Sequence, residues 1–270
     1  MRGSSRAAAA AGQRAFQSAL ASGADWGTLA EDLFGITAVL DGNATLRRAV
    51  GDPSRDADAK RRLVAQLFGG KVSQAAVDLV SELVAQRWSS ERDLTDTVES
   101  LAVETVLAQA EGAGRGDQVE DELFRFERIV AGNPGLRDAL TDRNADRDAQ
   151  ATLVGQLLQG KVAAETARLA RQAVMAPRGR RFDRIFRDYL DLAAKRRQQL
   201  TAVVTAAVDL DDIQRSRLAV ALQRIYGKPI QLQVVIEPKV VGGIRVQVGD
   251  EVVDGTILRR LESARRHIAG

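Results

Sequence analysis

Apolar positions recur at helical spacing through the first two hundred residues. Between Asp58 and Phe68, Leu63, Val64, Leu67 and Phe68 form an i, i+1, i+4, i+5 stripe, which predicts an amphipathic helix. Gly69-Gly70 stops it. Ala76, Leu79, Val80, Leu83 and Val84 resume the spacing, and a turn follows at Trp88-Ser89-Ser90. The stretch Asp93 to Gln109 then carries Leu94, Val98, Leu101, Ala102 and Val106 on one face. Arg180 to Lys195 puts Phe182, Phe186, Tyr189 and Ala193 on one side, with Arg184, Arg187, Asp188 and Asp191 toward water. A first helix is expected over Ser5 to Ala21. Short connections make neighbouring helices antiparallel and bundled.

From Leu200 the period changes. LTAVVTAAV, Leu200 to Val208, is rich in β-formers and has no helical stripe. Asp211 and Asp212 supply N-cap chemistry for a helix whose expected stripe is Ile213, Leu218, Ala221, Leu222 and Ile225. Ile230, Leu232, Val234 and Ile236 alternate with other residues at a period of two, a strand with one dry face. Ile244, Val246 and Val248 do the same, Gly249-Asp250 suits a two-residue hairpin turn, and Val252-Val253 returns. A last helix is expected with the stripe Ile257, Leu258, Leu261, Ala264 and Ile268.

The helical part contains a duplication. Residues Leu33 to Val72 align without gaps on Leu123 to Val162, an offset of 90, with about 18 of 40 positions identical; chance gives roughly two or three, so an internal repeat is present. The offset also maps the first helix onto Thr95 to Glu111, so one long helix can close the first bundle and open the second. The expected fold is mainly α with a small α/β C-terminal domain: two consecutive antiparallel helical bundles from an internal repeat, then a mixed sheet with two helices. The expected domains are 1–112, 113–199 (with helix 93–111 as the candidate shared helix) and 200–270.

Composition then narrows the chemistry. The chain has 270 residues, no cysteine and one histidine, which excludes disulfides and thiolate metal sites. The net charge is +3 with acids and bases intermixed, so no basic block marks a nucleic-acid footprint. No apolar run reaches the roughly 18 residues that span a bilayer. Gly242-Gly243 leads into a strand rather than a helix and reads as a bulge or close backbone approach, not a phosphate loop. Gly70-Lys71 and Gly160-Lys161 read as helix stops. Asp52, Asp56 and Asp58, repeated as Asp142, Asp146 and Asp148, lack the glycine and closing glutamate of a calcium loop, so they read as N-cap and first-turn acids. His267 reads as solvated surface, and Trp26 and Trp88 as core anchors or bundle-edge packers. No catalytic, metal or cofactor-binding residue is indicated.

The C-terminal string VVGGIRVQVGDEVVDGTILRRL, Val240 to Leu261, is similar to the terminal signature of the delta subunit family of bacterial F-type ATP synthases, whose mitochondrial relative is the oligomycin-sensitivity-conferring protein. Val204 to Val208, Tyr226-Gly227-Lys228 and the pattern from Asn43 to Phe68 also resemble that family. The second helical copy matches delta subunits of actinobacterial type, whereas the first helix has Ala15-Phe16-Gln17-Ser18-Ala19-Leu20 where the family usually has Tyr-Ala-x-Ala-Leu. The resemblance implies a non-catalytic peripheral-stalk (stator) subunit, one copy per proton-translocating complex, at the cytoplasmic face of the bacterial cell membrane through its partners only. The N-terminal bundle would grip the N-terminal helix of an alpha subunit, and the C-terminal module the end of a b-type stalk subunit. Candidate groove residues are Ala15, Phe16 and Ala19 on the first helix and Ala76, Leu79, Val80 and Leu83 on a later one; the same residues can instead fill the bundle's own core. The alternatives are a helical-repeat adaptor unrelated to ATP synthase and a carboxylate-dependent enzyme.

Overall fold

The computed structural model describes residues 3–21, 23–198, 200–226, 230–237, 243–248 and 251–254. It divides after Ala194 into two compact units. The first contains α1 (Gly3–Ala21), α2 (Trp26–Gly42), α3 (Ala44–Gly51), α4 (Ala57–Phe68), α5 (Gln74–Ala85) and α6 (Glu91–Gly112). There follow α7 (Gly116–Gly132), α8 (Pro134–Thr141), α9 (Arg147–Leu158), α10 (Ala164–Met175) and α11 (Phe182–Gln198), which runs across the division. Helices α7 to α10 begin and end 90 residues after α2 to α5. The duplication is therefore structural, helix by helix.

The signals that end and start helices are duplicated too. Gly70 and Gly160 stand at φ 72° and 69°, the left-handed conformation that glycine adopts without penalty. Asp56 and Asp146 cap α4 and α9, accepting from the backbone N–H of Ala59 and of Asp148. Asp58 and Asp148 lie in the first turns of those helices. Asp52 and Asp142 differ from the expected N-cap role. They end α3 and α8 and accept from Ser54 and Asn144 N–H, a turn motif.

At the start of α5 and α10 the copies solve one problem differently. Ser73 caps α5 and accepts from Ala76, while Asp32 of α2 accepts from Ser73 N–H at 2.8 Å. In the second copy the cap residue is Ala163, which has no side-chain acceptor. Glu122, at the position of Asp32, accepts from both Ala163 N–H (2.9 Å) and the Thr166 hydroxyl (2.6 Å). Its carboxyl sits below the ordinary value: burial pushes it up, but hydrogen bonds from Thr166, Gln118 and Ala163 outweigh that. Glu165 is likewise lowered, burial being outweighed by hydrogen bonds led by Arg115.

Helix α6 is buried on nearly every side, from Leu94 to Ala110. It packs on α1, α2, α3 and α5 of the first copy and on α7 and α10 of the second. One continuous apolar core consequently runs from Ala8 to Ala193. Small residues permit the close approach of helices: a Cβ on Gly51 would lie 3.0 Å from the Glu91 Cα, and one on Gly12 of α1 would lie 2.3 Å from Cδ2 of the buried Leu83 on α5. Thr95, Thr97 and Thr105, buried on α6, return their hydroxyls to the carbonyls of Glu91, Asp93 and Leu101, so none of these three hydroxyls is left unmatched. Trp88 is a core anchor, 3% exposed, and donates its indole N–H to Leu83 O. Trp26 is half-buried beside Gly112.

The second unit is β1 (Leu200–Ala206), α12 (Asp212–Tyr226), β2 (Ile230–Ile236), β3 (Ile244–Val248) and β4 (Glu251–Asp254). The sheet order is β2-β1-β3-β4. β1 pairs parallel with β2, as a strand-helix-strand connection allows, and antiparallel with β3; β3 and β4 pair antiparallel. Ala202, Val204, Leu222, Val246 and Val248 form its core. Asp211 caps α12 by accepting from Gln214 N–H. The expected α12 stripe is only partly right. Leu222 is buried and Leu218 half-buried, but Ala221 is exposed, and Ile213 and Ile225 are 64% and 73% exposed. Nine residues from Leu222 is two and a half turns, so Ile213 lies on the opposite face. Gly243 enters β3 at φ 80°, a bend rather than a phosphate loop. Gly242, the Gly249-Asp250 turn, the expected last helix and His267 lie outside the described residues.

Gly12→Val is expected to lower the stability of the helical unit by about 1–3 kcal/mol through overpacking against α5. Gly35→Ala, at a helical position with nothing within 4 Å, should raise it by about 0.5–1 kcal/mol. Urea titrations followed by helical circular dichroism compare the two. Glu122 and Glu165 are both lowered from 4.5, so their stabilisation is complete above that value and is lost as pH falls through their lower folded values. The urea midpoint should drop in acid below about pH 4.5. Glu122→Gln, with Glu165→Gln, should flatten that drop.

Candidate interaction surfaces

The seven candidate groove residues lie on α1 and α5, which pack against each other. Phe16, Ala76, Leu79, Val80 and Leu83 are 2% exposed or less, and Ala15 and Ala19 are half-buried. The first five fill the core of this chain. A charge at Phe16 or Leu83 therefore tests folding and not docking. Ala15 packs against the core from its edge, and with Ala11 and Ala19 it forms a strip of small, half-buried side chains along the outer α1–α5 seam. A helix laid on this strip could approach closely, because alanine adds little bulk.

The equivalent seam in the second copy lies between α6 and α10, and there another helix of the same chain is already present. Arg168 of α10 pairs with Glu31 of α2, one nitrogen at 2.8 Å from Oε2, and its guanidinium sits 4.5 Å above the Phe34 ring. That arrangement combines an ion pair with a cation–π contact. α2 also lies along α6. Within the helical unit, no described helix covers α1 and α5 in the corresponding way.

A second junction is built by the α10–α11 connection. Arg178 reaches back to Asp41 at the end of α2 (3.3 Å) and to Asp96 and Glu99 of α6 (2.7 Å each). Arg180 adds a bond to Glu99 at 2.5 Å. The side chains of Arg178 and Glu99 are 5% and 3% exposed. Although burial works against the charged form of Arg178, the surrounding carboxylates, Glu99 first, raise its pKa further above the ordinary arginine value. Its backbone is held at φ 51°, followed by Gly179 at φ 75°. A side chain in that region costs about 1–2 kcal/mol, a strain offset here by three carboxylates. Tyr189 is buried near this cluster with no partner for its hydroxyl. Burial, then the charge of Glu99, pushes its phenol far above the usual range, so it stays neutral.

Sequence reasoning did not find these junctions. Arg168 and Arg178 are two arginines among many, and their partners are 137 residues or 79 to 137 residues away. The available signal was Pro177-Arg178-Gly179: in the first copy those positions hold Arg87, Trp88 and Ser89. Among the described residues, no group of three or more His, Asp or Glu side chains could hold a metal ion, and no helix is long and apolar enough to cross a membrane.

Arg178→Ala is expected to destabilise the helical unit by about 1.5–3 kcal/mol, since it removes one of the two arginines on the buried Glu99 and leaves Arg180 as the other. Adding Glu99→Gln should recover part of that loss. Chemical denaturation of both variants measures the difference, and an unchanged midpoint for the single variant would show that the junction does not hold the copies together.

A family model described as the ATP synthase delta (OSCP) subunit matches residues 103–268. The match begins within α6, takes in the second copy and extends through the α/β unit. Over 269 residues the chain is 47% identical to ATP synthase subunit delta of Kineococcus radiotolerans, covering 99% of this chain and 98% of that protein. It is 46% identical over 270 residues to the subunit of the same name from Streptomyces coelicolor, covering 100% and 98%. With that of Beutenbergia cavernae it is 45% identical over 271 residues, covering both chains completely. Full-length coverage means that these relatives extend over both helical copies and the sheet unit, and the chain belongs to the ATP synthase delta (OSCP) subunit family.

Proposed function

We infer that this chain works as a load-bearing connector in the peripheral stalk of a proton-translocating F-type ATP synthase. It is a structural subunit and not a catalyst. The observation that carries this reading is identity of 45–47% along the whole chain to ATP synthase delta subunits. The mechanical demand fits the build. A stator resists torque from a rotor, and a continuous core threaded by one shared helix resists relative movement of the two copies. The Arg178 cluster adds a cross-brace at the same junction.

The proposed division of labour follows the three segments 1–112, 113–199 and 200–270. The first grips the N-terminal helix of an alpha subunit, the third holds the end of a b-type stalk subunit, and the second stiffens the span between. One copy serves each complex, which holds the chain at the cytoplasmic face of the bacterial membrane through partners alone. The first segment is favoured for the alpha helix because its α1–α5 seam has no covering helix within the unit. The matching α6–α10 seam is occupied by α2 of the same chain.

Ala15→Glu is expected to weaken binding of a synthetic alpha-subunit N-terminal peptide at least about tenfold, since a charge desolvated in an apolar seam costs more than 1.4 kcal/mol. Ala7→Glu, on the exposed face of α1, should leave affinity within about twofold. Isothermal calorimetry gives both values, with circular dichroism confirming that the variants fold. Equal affinities for the two would remove the seam from the interface. Absence of the chain from the purified synthase would overturn the stator reading as a whole.

A further inference from the structure

A groove of about 760 Å³ opens in the second copy between the ends of α7, α8 and α10 and the start of α11. Six arginines line it: Arg137, Arg143, Arg147, Arg180, Arg181 and Arg187. Only two carboxylates, Glu127 and Asp183, share the lining. Arg180 is committed to Glu99, and Arg181 pairs with Asp183. No carboxylate among the described residues lies within ion-pair distance of Arg143 or Arg187. Leu140, Val174, Ile185 and the half-buried Phe182 form the apolar floor.

The duplication supplies an internal control for this charge. Ninety residues earlier the six positions hold Arg47, Pro53, Ala57, Ser90, Glu91 and Thr97. The single basic counterpart, Arg47, is buried and spent on the carbonyls of Leu40 and Asp41 and on Glu91. Five of the six arginines are therefore peculiar to the second copy and are not required by the shared fold. Helix spacing differs as well. α6 lies close along α2 and α3, whereas its counterpart α11 makes no comparable approach to α7 and α8. On α11, aromatic rings stand where α6 has polar groups. Phe126 lies 6.2 Å from Phe182 and 5.6 Å from Phe186, centroid to centroid, while Phe182 and Phe186 replace Arg92 and Asp96.

We propose that this groove docks an acidic amphipathic helix of another protein, its carboxylates on the arginine rim and its apolar side on the floor. Charge complementarity selects an acidic partner. The aliphatic floor selects one with an apolar face. Phe124, 52% exposed, lies two turns away on the α7 face that carries Ala131 of the groove wall. The proposal rests on the stator reading only in seeking the natural partner within the assembled synthase.

Two measurements test it. In fluorescence anisotropy, the full chain should bind a labelled Leu/Glu amphipathic helix and not its Leu/Lys twin. The Arg143→Glu, Arg187→Glu double variant should weaken that binding at least about tenfold, and so should raising salt from 50 to 500 mM. Equal binding of both peptides, no loss on charge reversal, or preference for a single-stranded oligonucleotide overturns the proposal. In the purified synthase, a photo-crosslinker at Thr141, exposed on the groove wall, should join an acidic helix of another subunit. A cross-link to a basic segment, or none from a chain that is present, also overturns it. A chain missing from the synthase sinks the stator reading, and the peptide measurement then decides the groove alone.

Discussion

The burial of α6 is the constraint on which the helical unit depends. A helix that is apolar on one stripe belongs to one bundle. α6 instead hides residues on nearly every face between Leu94 and Ala110, so it must be surrounded. Two copies of one helical pattern, displaced by 90 residues, surround it: the first copy closes on it and the second opens from it. Its side chains show the cost of that position. Threonines return their hydroxyls to the helix's own carbonyls, Glu104 accepts from Gln13 at 2.7 Å, and Glu99 requires two arginines. A buried carboxylate without such partners would be strongly destabilising.

Sharing a helix makes the two copies unequal. Each copy has an α1–α5-type seam, but only the first is open within the unit, because α2 lies across the second and fastens there through Arg168. The copies have also diverged where their ends are free to differ. Trp88 completes the first copy's core, and its counterpart Arg178 turns instead to the carboxylates of α2 and α6. Polar residues on α6, Arg92 and Asp96, give way to phenylalanines on α11. One ancestral pattern thus yields a tightly closed bundle and a more open one with an arginine rim. Such asymmetry suits a connector that meets different partners along its length.

Much of the architecture was legible in the chain itself. The stripes Leu63-Val64-Leu67-Phe68 and Ala76-Leu79-Val80-Leu83-Val84 became α4 and α5 within two or three residues at their ends. The change of period at Leu200 became the sheet, and the 90-residue offset reappeared as helix pairs. The expected α12 stripe is inward-facing only at Leu218 and Leu222: Ile213 lies on the opposite face, and Ala221 and Ile225 are exposed. The groove residues Phe16 and Leu83 were named from their apolar character, which does not distinguish a side chain that fills its own core from one that waits for a partner.

That distinction marks the division between sequence and tertiary structure here. Periodicity, glycine stops, aspartate caps and the duplication are local or self-referential signals, so the chain by itself determines the helices, the strands, the repeat and the family. The occupation of the α6–α10 seam by α2, the Arg178 junction and the arginine-lined groove depend on contacts between residues up to 137 positions apart. Arginines look alike along a chain; folding brings one beside a buried glutamate and leaves another on an open rim, and only that placement decides whether its charge is spent inside the protein or offered to a partner.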